Sequence, residues 1–227
     1  VFGIEYEQET GESELKGTSD WGPYEDKFDE KSNITRSGFI LWDFHKPNYG
    51  LMIGGRVDDN EKFGYHKSGE ISGYFKPWDL GPRFRTNLGT GFKAPSLFQL
   101  YHLIYGNPLL KPEESFSKEI GLDQFLWEDK IQLSATYFEV LYSDLIVWDN
   151  MLFTYNNISK AVSRGWEAGL KLKPAQNLDI NFNYTFVDAR DRETDEKLIR
   201  RWGEKYSLGI AWRPISKLEL NLWGVHR

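Results

Sequence analysis

The sequence predicts an all-β fold, an antiparallel meander of about eleven long strands that forms part of a transmembrane β-barrel. Three observations carry this prediction. Apolar and polar residues alternate with a period of two along much of the 227 residues, as in strands with one apolar face. The alternating stretches run for roughly ten residues, which lets a tilted strand cross a bilayer. Short and long connections between them follow one another in turn.

The clearest alternation lies in five stretches. In the first, Phe2, Ile4 and Tyr6 occupy one face while Gly3 and Glu5 occupy the other. The other clear stretches are 51–58, 83–92, 180–186 and 205–212. Weaker alternation predicts six more strands, near 34–44, 70–76, 115–125, 131–140, 161–172 and 218–226. Because strands of soluble proteins average five or six residues, these lengths favour a membrane barrel.

The connections are predicted to differ systematically in length. Short ones are expected at 45–48, 77–81, 126–130, 173–177 and 213–217. Long ones are expected at 10–33, 58–69, 93–114, 141–160 and 188–200. Outer-membrane barrels have short periplasmic turns and long external loops, whereas a β-sandwich has no reason to place every long loop at one end. The pattern therefore favours the barrel.

One of the long connections contains a predicted short helix. Ser96, which follows a proline, is a suitable N-cap residue. Leu97, Leu100, Tyr101 and Ile104 recur at helical spacing and are expected to share one face.

The composition excludes several other classes of protein. No run of 18 or more apolar residues occurs, which excludes a transmembrane helix but not spanning strands. Aromatic residues make up 16% of the chain, as expected where Trp and Tyr girdle a barrel. The net charge of −6 argues against a nucleic-acid partner. The absence of Cys excludes disulfides, thiolate metal sites and cysteine nucleophiles.

No group of residues predicts catalysis or a metal site. The four His residues lack metal-ligand spacing. The stretch 89–94 fits a dinucleotide fingerprint, but its strand carries Arg83 and Arg85, whereas a Rossmann strand is buried on both faces. The acidic stretch 188–196 lacks EF-hand spacing and predicts a solvated loop. We therefore expect no enzyme activity, no cofactor and no metal site.

Charged residues within the strands should point into the barrel lumen, because a charge on the lipid face is costly. Arg83, Arg85, Glu119 and Glu167 all lie on polar or small faces of their strands. They are expected to be solvated in the lumen or to contact a polar body that fills it. Strand parity predicts that Phe182, Tyr184, Phe186, Leu208 and Ile210 face outward. It predicts that Asn181 and Asn183 face inward, like the charged residues above.

An ordered series of short motifs resembles the TonB-dependent outer-membrane receptors. It begins with GFKAPSL at 91–97, LY at 100–101, GNP at 106–108, LKPE at 110–113 and EIGL at 119–122. It continues with SDLI at 143–146, YNN at 155–157 and RGWEA at 164–168. VDAR at 187–190 and LIRR at 198–201 resemble the vitamin B12 receptor branch of that family.

The resemblance implies a 22-stranded barrel in a bacterial outer membrane, plugged by an N-terminal domain and energised by the TonB complex. Residues 1–227 correspond to part of that barrel domain, without the plug, the TonB box or a last strand ending in an aromatic residue. The implied partners are outer-membrane lipid, the plug domain, the TonB complex and a small-molecule ligand. The chain alone, with an odd number of strands, is not expected to form a working transporter.

The implied ligand is a scarce nutrient such as a corrinoid or a ferric siderophore. Aromatic residues of the external loops are candidate contacts, with loop packing or interface anchoring as the alternative role of each. These candidates are Trp21, Tyr24, Tyr101, Tyr105, Trp148, Phe153 and Tyr155. A passive porin and a soluble carbohydrate-binding β-protein remain alternatives. A plug domain upstream would distinguish the receptor from the porin, and detergent-free solubility as a monomer would favour the soluble protein.

Overall fold

The structure is a computed structural model that describes residues 1–20, 22–79, 81–198 and 203–227. Its described residues form one sheet of eleven strands and one short helix. The strands are β1 (Phe2–Ser19), β2 (Gly22–His45), β3 (Tyr49–Asn60), β4 (Gly64–Phe75), β5 (Arg83–Lys93), β6 (Glu113–Leu126), β7 (Ile131–Asp149), β8 (Thr154–Ala175), β9 (Leu178–Asp191), β10 (Glu204–Ile215) and β11 (Leu218–His226), and the helix is α1 (Leu97–Tyr101). Each strand pairs antiparallel with its sequence neighbours, which confirms the predicted meander.

The strand register sorts the side chains onto an apolar face and a polar face. Leu170, Phe182 and Leu208 are aligned across β8, β9 and β10 and lie on the apolar face. One residue along, Asn183 and Ser207 are aligned and lie on the polar face. The two predicted sets lie on these opposite faces. The apolar face carries Phe182, Tyr184, Phe186, Leu208 and Ile210, and the polar face carries Asn181, Asn183, Glu119 and Glu167.

The apolar face has the height of a membrane band. On β9 its apolar residues run from Leu178 to Phe186 and end at the charged Asp188. Eight steps of about 3.3 Å, tilted by about 40°, give a band roughly 20 Å tall, close to the ~25 Å of known barrels. Ile120 and Trp166 on this face are 61% and 56% exposed. Such a surface is suited to contact with lipid hydrocarbon.

The predicted long loops at 10–33 and 141–160 are wrong for most of their residues, which extend β1, β2, β7 and β8. The segments added to β1 and β2 are largely polar on both faces, whereas 145–148 of β7 is apolar on both faces, so neither shows the alternation of one apolar and one polar face. Opposite charges stabilise the pairing instead, since Lys16 aligns with Glu25 and its Nζ lies 3.3 Å from that carboxylate. The predicted loop at 58–69 is also wrong for most of its residues, since only 61–63 lie outside β3 and β4, and the start of 188–200 belongs to β9. The five short connections are confirmed, with slightly shifted bounds.

The predicted helix is confirmed, and a capping box begins it. Ser96 Oγ accepts the backbone N–H of Gln99 at 3.2 Å, and Gln99 Oε1 accepts that of Ser96 at 2.9 Å. Leu97 and Leu100 are buried, as an apolar helix face requires. Ile104 lies beyond the helix and is 59% exposed, so its assignment to that face is wrong.

Candidate functional site

A buried carboxylate bound by two arginines lies on the polar face. Asp123 on β6 is 2% exposed. Arg83 on β5 donates two hydrogen bonds to its Oδ2, from Nε at 3.0 Å and Nη2 at 2.7 Å. Arg85 Nε lies 3.0 Å from the same oxygen as an ion-pair partner, and Arg85 Nη2 donates to Thr136 Oγ1 at 2.9 Å. Asp123 thereby fixes both guanidinium groups across β5–β7.

The four charged residues predicted to face the lumen share this polar face and line two adjoining clefts. Arg83, Arg85 and Glu119 line a cleft of about 390 Å³. Arg85, Glu119 and Glu167 line a second cleft of about 430 Å³. Arg85 reaches across β6 because Gly121 has no side chain, and a Cβ there would lie 2.8 Å from the Arg85 guanidinium carbon. The structure therefore brings all four residues to one continuous polar surface.

Residues 94–112, here called the bridging loop, are hydrogen-bonded on one side to the β7–β8 hairpin. Asn107 Nδ2 donates to the backbone oxygen of Tyr155 at 2.9 Å. Asn157 Oδ1 accepts the backbone N–H of Lys111 at 2.9 Å, and its Nδ2 donates to the Lys111 oxygen at 3.0 Å. Glu113, which follows the loop, accepts the N–H of Ile146 at 2.8 Å. The loop is thus joined to the β7–β8 hairpin by hydrogen bonds of side-chain amides and a carboxylate, where a strand would use backbone pairing.

The other side of the bridging loop contacts the β1–β2 hairpin through α1. Leu97 is buried there, and Gly11 leaves it room, since a Cβ at Gly11 would lie 3.4 Å from Leu97 Cδ1. Lys62 donates from Nζ to Tyr101 Oη at 3.1 Å, and Lys31 Nζ lies 5.6 Å from the Tyr101 ring centre. The bridging loop thus joins two hairpins that are not neighbours in the sheet.

Three of the predicted ligand contacts come together in an aromatic cluster. Tyr105 and Tyr155 each meet Trp148 edge to face, with ring centres 5.4 and 5.2 Å apart. His102 stacks on Tyr105 at 4.7 Å, and Phe98 lies 4.4 Å from His102. These rings pack against one another in the folded loop. The cluster attaches the bridging loop to the β7–β8 hairpin.

The remaining predicted contacts lie apart from this cluster. Tyr101 is held by Lys62 and Lys31, as described above. Tyr24 at the start of β2 is 47% exposed and lies over Gly17. Phe153 in the turn between β7 and β8 is 62% exposed and has a φ of 50°. Trp21 lies outside the described residues, as do residues 199–201 of the LIRR motif.

Sequence reasoning missed the residues that hold the polar face and the bridging loop together. Asp123 has the same strand parity as Glu119 and Glu113, so parity alone placed it on that face of β6 without singling it out. Asn107 and Asn157 belong to motifs that carried the family resemblance, yet their partners are backbone groups of other segments. No spacing rule connects positions about fifty residues apart.

No described His, Asp or Glu residues form a group of three or more that could hold a metal ion. Among the described residues there is also no helix long and apolar enough to cross a membrane.

Comparison with known proteins gives one family and several similar structures. The family model described as TonB dependent receptor-like, beta-barrel, matches residues 1–226. The siderophore receptor PirA from Pseudomonas aeruginosa superposes with a TM-score of 0.69 at 22% identity, over 99% of this chain and 46% of PirA. The copper transporter OprC superposes with a TM-score of 0.70 at 15% identity, over 99% of this chain and 39% of OprC.

A further similar structure is a mutant of the ferric enterobactin receptor PfeA from Pseudomonas aeruginosa in complex with enterobactin. It superposes with a TM-score of 0.71 at 18% identity, over 97% of this chain and 41% of PfeA. At such identities the likeness shows the fold. The chain spans less than half the length of each of these three proteins.

Proposed function

Since the chain belongs to the TonB-dependent receptor-like β-barrel family, we propose that it forms about half of the barrel of a receptor that actively imports a scarce nutrient. The observation that carries this proposal is the family match over residues 1–226, which includes all eleven strands. Proteins of this family are outer-membrane transport receptors and not enzymes. The apolar band of the sheet is the surface that would face outer-membrane lipid.

A ferric siderophore is the ligand class we propose first. The similar structures PirA and PfeA are described as a siderophore receptor and a ferric enterobactin receptor. A corrinoid is the second candidate, supported by the VDAR motif at 187–190, whose Asp188 and Arg190 form an ion pair with Nε 3.0 Å from Oδ1. Among the predicted contacts that the structure describes, Tyr24 and Phe153 are the side chains with most surface available to a ligand.

The clefts of the polar face are the proposed seat of a plug domain. Arg83, Arg85, Glu119 and Glu167 present both signs of charge on this surface. A plug that must move during transport is better held by hydrated polar contacts than by an apolar interface, since polar contacts exchange readily with water. Energy would come from the TonB complex acting on that plug.

Uptake of an iron-labelled siderophore by cells that express the complete receptor tests this function. Active import predicts uptake that saturates and is lost when the host lacks TonB. The same cells with a TonB-independent substrate supply the control for membrane integrity. Uptake that persists without TonB and rises linearly with concentration would instead identify the passive porin.

A further inference from the structure

A groove lies on the apolar face of the sheet, over β1–β4, at the end opposite the five short connections, here called the external end. It has a volume of about 650 Å³. Strand register places its side chains in two rows on that face, with Ile4, Gly38 and Val57 in the first and Tyr6, Arg36, Asp59 and Tyr65 in the second. The groove is therefore separate from the polar clefts that are the proposed seat of the plug domain.

The floor of the groove is a glycine between two larger apolar side chains. A Cβ at Gly38 of β2 would meet no atom within 4 Å. Ile4 of β1 and Val57 of β3 are its cross-strand neighbours, and both are exposed. Because β1 and β3 lie about 9.6 Å apart, two strand spacings, a channel one strand wide runs between these side chains. Gly55, one row further into the apolar band, is open as well, so the floor suits a hydrocarbon chain.

Charged residues begin at the external end of the groove. Arg36, Asp59 and Lys67 are the first charged residues on the apolar face of β2, β3 and β4 when each strand is followed from its short connection. Arg36 is aligned with Asp59, and Lys67 is aligned with Val57 beside it. None of the three charged groups forms an ion pair with any residue that the structure describes. Two cations and one carboxylate therefore leave this edge positively charged.

The same edge has the position of a boundary between hydrocarbon and lipid head groups. Tyr6 on β1 and Tyr65 on β4 lie in the row of Arg36 and are 60% and 75% exposed. Tyrosine rings are enriched at this depth of a membrane, where the hydroxyl group meets water and the ring meets hydrocarbon. The guanidinium group of Arg36 thus lies at the level of lipid phosphates, above an apolar groove.

We propose that this groove retains one phosphorylated lipid of the outer leaflet, which in a bacterial outer membrane is lipid A. An acyl chain lies over Gly38, between Ile4 and Val57, and a phosphate is bound by Arg36. A guanidinium group suits this role, since it can donate two parallel hydrogen bonds to a phosphate. The volume of the groove is within the range of ligand sites. The site goes beyond nutrient import and rests only on the membrane-facing surface of the proposed function.

Native mass spectrometry of the complete, delipidated receptor in detergent tests the site without any transport assay. The two probes are diphosphoryl lipid A and the same lipid after removal of its phosphates. Arg36→Gln removes the charge, and Gly38→Leu fills the floor of the groove. The matched controls are Arg192→Gln, an exposed arginine between β9 and β10, and Gly224→Leu, an open glycine aligned with Leu208 on the apolar face. Circular dichroism verifies that each variant is folded, and Arg36→Gln alone decides the outcome if Gly38→Leu does not fold.

We expect the wild type to bind diphosphoryl lipid A about tenfold more tightly than the dephosphorylated lipid. Arg36→Gln should remove this preference and leave binding of the dephosphorylated lipid unchanged, whereas Gly38→Leu should weaken binding of both lipids. Both controls should bind as the wild type does. Equal binding of the two lipids by the wild type, a preference that survives in Arg36→Gln, or unaltered binding by folded Gly38→Leu would overturn the site. Uptake that is independent of TonB would overturn the transport function alone, because lipid binding requires only the folded barrel.

Discussion

The side-chain amide of Asn157 pairs with both backbone groups of Lys111, accepting the N–H at 2.9 Å and donating to the oxygen at 3.0 Å. The same Nδ2 also lies 2.6 Å from the backbone oxygen of Asp144. The amide therefore forms the pair of hydrogen bonds that a neighbouring strand would form with the bridging loop. It also binds the backbone oxygen of Asp144, an irregular position of β7 with a φ of 53°. Two motifs that resemble the receptor family, LKPE and YNN, meet at this contact.

Asn157→Ala is predicted to release the bridging loop without unfolding the sheet. The variant loses one acceptor and two donor contacts at a partly buried site, a local cost of about 1–3 kcal/mol. Hydrogen exchange should accelerate at the Lys111 amide and across 103–112, while that of β9 and β10 stays unchanged. Asn177→Ala, in the turn between β8 and β9, is the control. Unchanged exchange at Lys111 would show that the aromatic cluster alone holds the loop.

Asp123→Asn is predicted to destabilise the barrel by about 2–3 kcal/mol. The variant leaves Arg83 and Arg85 facing a neutral group in a buried position, and the partial exposure of both arginines limits the cost. Asp179→Asn removes a carboxylate from an exposed pair with Arg213 and should cost less than about 1 kcal/mol. Chemical denaturation of the complete receptor in detergent measures both. Equal losses of stability in the two variants would contradict the claim that the buried Asp123 stabilises the barrel more than Asp179 does.

The sequence was sufficient to predict the strands where an apolar face alternates with a polar one. Phe182 and Asn183 are assigned to the correct opposite faces because alternation of hydrophobicity is a local property of the chain. The extensions of β1 and β2 lack that signal. The available signal there was a pair of opposite charges, Lys16 and Glu25, at equal distances from a turn near residue 20. A search for alternating hydrophobic residues does not detect such a pair.

The candidate site was less predictable, since its contacts are not local. Loop aromatics could be selected by type, but whether Trp148 faces a ligand or packs on Tyr105 depends on how two distant segments meet. Asp123 could not be distinguished from a solvated lumen charge, because the register that aligns it with Arg83 is fixed only in the folded sheet. The ligand-contact roles of all seven loop aromatics remain predictions, namely those of Trp21, Tyr24, Tyr101, Tyr105, Trp148, Phe153 and Tyr155.

One face of the sheet is predicted to contact lipid and the other is not, which spin labels can distinguish. Spin labels at Phe182 and Leu208 are predicted to be accessible to oxygen dissolved in the bilayer, since both lie on the apolar face. Labels at Asn183 and Ser207, one residue along, should respond to a water-soluble nickel complex or be shielded by the proposed plug domain. Oxygen accessibility at Asn183 equal to that at Phe182 would contradict the assignment of the faces.

The turn between β7 and β8 is predicted to lose stability in acid. The N–H groups of Leu152 and Met151 donate to Asp149 Oδ1 and hold the pKa of its carboxyl below its ordinary value of 3.8. A depressed pKa means that the turn is stabilised above pH 3.8 and loses this contribution as pH falls through the folded pKa. Carbon NMR of labelled Asp, assigned with Asp149→Asn, measures the midpoint. A midpoint at or above 3.8 would refute the capping role.

The central claim is that these eleven strands are one part of a larger barrel. Strand direction alternates along the meander, so β1 and β11 run the same way and cannot pair antiparallel with each other. Closure of an antiparallel barrel therefore requires an odd number of further strands between them. An open sheet would leave unpaired backbone groups at both edges, each costing several kcal/mol in hydrocarbon.

Refolding residues 1–227 alone into liposomes, beside the complete receptor, tests this claim most directly. Protease resistance, dispersity and ligand uptake are measured on both preparations. We predict that the complete receptor is monodisperse and protease-resistant, while residues 1–227 aggregate or are digested and take up no ligand. A monodisperse, protease-resistant barrel of residues 1–227 that takes up ligand would contradict the claim.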